Sequence, residues 1–169
     1  MSRSITEFLE GQIYLDTMMF YAFLRAEPEA RPMIGAFFEC IETGAITAYT
    51  SVLTFDELAY RLILALIKDK YGGSPLERLR DEEQAMLTEF VPIIVPKLQL
   101  LKAFPHLRLI GIDPADLEAM LANMLDYSLR PRDALHLAAM RCADCANLAS
   151  NDHHFDVIPD ITRFVIVLP

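Results

Sequence analysis

Cysteine is scarce, positive charge is outnumbered, and no apolar run is long. Three cysteines, Cys40, Cys142 and Cys145, are too few for a disulfide scaffold and suit a reducing compartment. Lys and Arg total 15 against 24 Asp and Glu, a formal net charge of −9. That balance argues against coating nucleic acid by bulk attraction, because phosphate binding depends on local cations. It leaves room for a small basic rim around an acidic, cation-filled site. The opening MSRSITEFLEGQ lacks the apolar stretch of a signal peptide, and LILALI at 62–67 is far too short to span a bilayer. Repeats, low-complexity tracts and linkers are also missing. The expectation is a cytoplasmic protein with no membrane segment.

What is present is apolar mass. With 169 residues and 53% hydrophobic content, the chain fits one domain over 1–169. A domain of that size buries roughly 70% of the surface its unfolded form exposes. Its mean hydropathy of +0.27 is high for a soluble monomer. The surplus is most simply placed in a subunit or partner interface, so a homodimer or a complex is expected.

QIYLD, AITAYTS and ANLASND each pair a β-rich run with small or polar residues, and LRLIGI and RFVIV read as further strands. Helical stretches run from Pro28 to about Thr43, from Thr54 to about Tyr71, and from Pro114 to Tyr127, the first two closed by glycine. Strands alternating with helices imply an α/β fold, a mainly parallel sheet covered on both faces. SPLERLRDEEQAMLTEF at 74–90 reads as one helix with a solvated charged face. VPIIVPKLQLLKAFP follows, and Pro92 and Pro96 predict a kink and then a short helix. Together they predict a helical insertion over about 72–106.

In an open parallel sheet, ligands bind beyond the carboxyl ends of the strands. Four acids are expected there. Asp16 closes the first strand, Glu57 lies in the first turn of the helix after AITAYTS, Asp133 opens the alanine-rich helix of RPRDALHLAAM, and Asp152 follows ANLAS. Each also has a plain structural reading. Asp16 and Asp152 suit helix caps, Asp133 suits a helix dipole, and TFDE matches a capping box between Thr54 and Glu57. Gathered in one crevice, however, four carboxylates repel and raise one another's pKa unless a cation neutralises them. Oxygen ligands without a matching His or Cys set select Mg²⁺ or Mn²⁺, and such an ion suits phosphodiester hydrolysis.

IYLDTMMF, TSVLTFDELAYRL, RPRDALHLAAM and LASNDHHFDVIP resemble, in order and across nearly the whole chain, the four acidic motifs of the PIN domain family, and most closely those of VapC-type toxins. The resemblance implies a three-layer α/β/α sandwich. It further implies a divalent-metal-dependent endoribonuclease held inactive by a small antitoxin. On that likeness Asp16, Asp133 and Asp152 hold metal, and Glu57 binds it directly or through water. Thr17 and Ser150 orient the acids, and Asp156 adds an outer carboxylate. RNA contact falls to Arg130, Arg132 and His153. Two alternatives stay open: an RNA-processing or DNA-directed nuclease of the same fold without a toxin role, and a non-catalytic binding module. CADC at 142–145 matches C-x-x-C but ends a helix, so packing or surface thiols are expected. DHHFD is similar to the DHH phosphoesterases, whose other aspartate motifs are not evident. His136 is expected to hydrogen-bond in the core.

Overall fold

The computed structural model describes residues 2–166. The chain runs β1 (Arg3–Ser4), β2 (Gly11–Leu15), α1 (Thr17–Arg25), α2 (Arg31–Glu42), β3 (Ile46–Ser51) and α3 (Val52–Tyr71). It continues through α4 (Pro75–Asp81), α5 (Glu83–Lys102), β4 (Leu107–Ile110), α6 (Pro114–Tyr127), α7 (Pro131–Cys142), β5 (Asn147–Ala149) and β6 (Thr162–Val165). Two 3-10 turns, Ile5–Glu7 and His153–Val157, complete it. The strands form one six-stranded sheet in the order β1-β6-β5-β2-β3-β4, and every pairing is parallel. The expected α/β class with a parallel sheet is what is found.

Side-chain alternation along β2 makes the layers. Ile13 and Leu15 join the core beneath α1, α2, α3 and α5, while Tyr14 between them joins the second core beneath α6 and α7. In β5, Leu148 and Ala149 divide the same way. All of these strand residues are fully buried, which is why such strands read as continuous apolar runs. Around them, Phe20, Phe23, Phe37, Phe38 and Phe104 pack edge-on or stacked in a chain of ring contacts. Gly44 stops α2 at φ +84°, and a Cβ there would sit 3.0 Å from the His106 ring, so both backbone and space call for glycine.

Four expectations need correction. The two-residue β1 is too short to carry a periodic signal. Helix α3 starts at Val52, with Ser51 as an N-cap whose side chain makes no cap bond. Thr54 is therefore not a cap, its buried hydroxyl has no partner, and Glu57 lies in the second turn. The single helix expected over 74–90 breaks at Glu82 instead, which takes φ −128° and ψ 35° between α4 and α5. Conversely, Pro92 and Pro96 sit inside the continuous α5. Met86, Phe90, Ile94 and Leu101 keep one buried face through both prolines, and the prolines themselves are exposed. Packing on α3 outweighs their helix penalty. The last residue of RFVIV, Val167, lies outside the described residues. Among those described, no helix is long and apolar enough to cross a membrane.

Proline costs a helix interior about 3 kcal/mol relative to alanine. Pro92→Ala restores a donor for the Thr88 carbonyl and should raise stability by about 1–3 kcal/mol. The urea midpoint measures this, and an unchanged midpoint would show that α5 carries no proline penalty.

Candidate metal centre

The chain reverses its direction of winding across the sheet beside β2, which pairs with β3 on one side and β5 on the other. At such a switch point the strand ends leave a crevice. Here it has a volume of about 380 Å³, and its walls include Asp16, Thr17, Glu57, Asp133, His136, Asp152 and His153. The four acids separated in sequence thus line one cavity.

Each carboxylate is held differently. Asp16 caps α1, with Oδ1 accepting from Met18 N at 2.6 Å, while Oδ2 accepts from the Ser150 hydroxyl. Ser150 Oγ in turn accepts from Asp152 N at 3.0 Å, which ties the ends of β2 and β5 together. Asp152 caps the turn His153–Val157 and accepts from both His154 N (2.9 Å) and His154 Nδ1 (2.5 Å). Capping and convergence, set against each other as readings of the sequence, coexist at both aspartates.

Glu57 is gripped from three sides. Thr17 Oγ1 donates to Oε2 at 2.5 Å, His136 Nε2 reaches the same oxygen at 3.2 Å, and Arg132 stands 3.4 Å from Oε1. Behind it, the Tyr14 hydroxyl lies 2.9 Å from His136 Nδ1. A neutral imidazole with its proton on Nε2 satisfies both contacts, donating to Glu57 and accepting from Tyr14. His136 is buried, as expected, but it also faces the crevice.

Asp133 differs from the rest. It sits in the first turn of α7, its Oδ2 is buried, and no hydrogen bond satisfies that oxygen. The electrostatics divide differently, two acids against two. Burial pushes Asp16 above the usual carboxylate range despite the Ser150 bond. Burial and the charge of Asp152 push Asp133 up as well. Burial also opposes charge on Glu57, but the His136 and Thr17 bonds prevail and its pKa is lowered. At Asp152 the two His154 donors likewise outweigh burial and lower it. A buried carboxylate oxygen without a donor, on a residue that shares a cavity with other acids, is donor chemistry that a divalent cation fits.

The outer residues are placed less uniformly. Asp156 makes a two-pronged pair with Arg163 at 2.8 and 2.7 Å, and Arg163 Nη1 donates to the Ser150 carbonyl at 3.1 Å. It therefore bears on the site through Arg163, outside the cavity wall. Arg130 precedes α7 as its N-cap residue and does not line the cavity. His153 does, with its ring stacked on His154 at 4.4 Å. Among the described residues, Asp152, His153 and His154 form a trio whose ligand atoms all lie within 4.8 Å of one another, and of the four acids expected it includes Asp152 alone. Tyr14, Arg61 and Asn151 were missed. For Arg61 a signal existed, since it stands one helical turn after Glu57.

A PIN domain family model matches residues 13–161. The chain belongs to the PIN domain family. PIN domains are nucleases that generally use divalent metal ions. No curated protein matches the chain. Among solved structures, VapC20 of Mycobacterium tuberculosis, a sarcin–ricin loop cleaving toxin, is similar at TM-score 0.55 and 15% identity, covering 93% of this chain and 99% of that one. VapBC2 of Rickettsia felis, bound to a DNA fragment from its promoter, is similar at TM-score 0.53 and 15% identity, covering 92% and 98%. FitAcB of Neisseria gonorrhoeae matches at TM-score 0.52 and 22% identity, covering 90% and 96%. At these identities the likeness establishes a shared fold.

A raised carboxylate pKa means that ionisation costs stability, absent below the unfolded-state pKa and present once pH exceeds the folded value. In metal-free buffer, Asp133→Asn should therefore melt higher than the parent PIN domain at neutral pH, with the difference vanishing towards pH 3. Thermal melts in EDTA across that range check the sign, and a variant less stable at neutral pH would return Asp133 to a structural role.

Proposed function

We propose that this PIN domain is a divalent-metal-dependent endoribonuclease that hydrolyses RNA phosphodiester bonds, and that it is the toxin of a type II toxin–antitoxin pair. The observation that carries the reading is the buried, unpartnered Asp133 Oδ2 in a crevice shared with Asp16, Glu57 and Asp152. The similarity to a toxin and to a VapBC assembly supports the biological half.

Asp16, Asp133 and Asp152 would hold one or two Mg²⁺ or Mn²⁺ ions. Bound there, the cation supplies charge neutralisation and polarisation of a phosphodiester oxygen. Ser150 aims Asp16 and opposes the effect of burial on its charge, and Asp156 steadies Ser150 through Arg163. Glu57 is fixed by Thr17 and His136 with Oε1 turned towards Arg132, so it can contact the ion through water or orient the attacking water. Attack at phosphorus forms one P–O bond and breaks another, leaving two shorter RNA fragments. Arg130, Arg132 and His153 offer charge or hydrogen bonds to the RNA backbone. Leu100, Leu117, Leu121 and Leu125 are exposed, and such surface suits a homodimer and a docked antitoxin. An antitoxin cation reaching the acids would block the crevice.

Protein freed of any partner should cleave RNA in Mg²⁺ or Mn²⁺ and not in EDTA. Asp133→Asn should lose on the order of 100-fold or more, a scale that matches several kcal/mol of transition-state stabilisation. Cleavage indifferent to EDTA, or near-normal activity in that variant, would end the proposal.

Independently of activity, Mn²⁺ at about 100 times Kd should stabilise the wild type by roughly 2.7 kcal/mol, with a smaller shift in Asp16→Asn. Differential scanning calorimetry reads both, and a wild-type Tm blind to Mn²⁺ would remove the metal site.

A further inference from the structure

Helices α1 and α3 meet at the crevice in two successive rungs. In the first, Thr17 bonds Glu57. One turn further along each helix stand Tyr21 and Arg61, and the Arg61 guanidinium lies over the Tyr21 ring, 4.8 Å from its centroid. Arg61 lines the acidic crevice and is exposed, yet among the described residues it forms no ion pair or hydrogen bond. Glu57 one turn away is the natural partner for such a cation, but its oxygens are directed to Thr17, His136 and Arg132 instead. Nearby Arg25 is committed to Asp69 at 2.5 Å. The second rung thus presents one uncommitted guanidinium, braced on an aromatic ring, at the edge of the four acids.

Beyond it the crevice opens into a groove of about 330 Å³. The two cavities share Met18 and Asn151, so the groove adjoins the site. Tyr21, Ala22, Ala30 and Ile34 give it a largely apolar lining, with Arg25 and Glu27 as its charged residues. The Arg25 charge is already met by Asp69 and Glu27 repels a phosphate, whereas the apolar wall accepts a planar heterocycle. Tyr21 lies about 6 Å along the axis of α1 from Thr17, the scale of a single nucleotide.

We propose that Arg61 and Tyr21 form a nucleotide subsite, with Arg61 contacting the RNA phosphate next to the scissile one and the groove beside Tyr21 taking its unstacked base. The occupant is a single-stranded segment, because a paired base is not free to leave its stack. The subsite rests on the nuclease reading for its role, but its binding is measurable without cleavage.

The test uses a fluorescein-labelled single-stranded hexaribonucleotide of mixed sequence, full-length protein carrying Asp133→Asn so that the probe stays intact, and anisotropy titrations in Mg²⁺ over a range of salt. Adding Arg61→Ala should flatten the slope of log K against log salt by about 0.7, the value for one lost single-strand phosphate contact. Adding Tyr21→Leu should weaken binding roughly 5- to 150-fold with little change in slope, as loss of one stacked base does. Tyr21→Phe keeps the ring and should bind as the parent does. Affinity and slope unchanged in both Arg61→Ala and Tyr21→Leu would overturn the subsite and leave the groove to a protein partner. Protein that shows the predicted slope and stacking losses, but whose wild type never cleaves RNA with metal, would keep the subsite and discard the nuclease. Wild type that cleaves while Arg61→Ala binds like its parent would do the reverse.

Discussion

Burial of carboxylate charge is the constraint around which this end of the molecule is organised. Three of the four carboxylates are reconciled to it by the protein itself. Asp16 has a helix N-terminus and the Ser150 hydroxyl, Asp152 has a second helix start and the His154 ring, and Glu57 has Thr17, His136 and Arg132. Asp133 Oδ2 has nothing. A protein that supplies donors to three acids and none to this oxygen leaves one strong acceptor unsatisfied, at the expense of the fold.

The same constraint reaches into the core through Tyr14. Its neighbours Ile13 and Leu15 pack on one side of the sheet, while Tyr14 crosses to the other and supports His136 from below. A residue two positions before Asp16 therefore anchors both the second core and the orientation of Glu57. Substitutions at Tyr14 will not separate stability from site geometry, because one hydroxyl serves both.

Much of this was readable in the residues. Strand ends followed by acids located the crevice, since the parallel α/β arrangement sends every such end to one side of the sheet. The caps at Asp16 and Asp152 were also readable, being local side-chain chemistry. What escaped depended on contacts across long separations. Tyr14 and His136 are 122 positions apart, and no local pattern joins them. Thr54 and Glu57 have capping-box spacing, but the helix begins earlier, at Val52, and turns the Thr54 hydroxyl into the interior. At Pro92 and Pro96 local propensity was read correctly and then overridden by the apolar face of α5.

That override has a kinetic side. A helix with two internal prolines gains little from forming alone, since each removes a bond that would propagate the helical turn. Residues 83–102 therefore owe their helical form to docking on α3. Its C-terminal half should exchange amide hydrogens faster than the central strands do. A flank whose helix depends on its packing is softer than a sheet whose strands hold one another, and proteolytic attack on the native protein is expected to begin there.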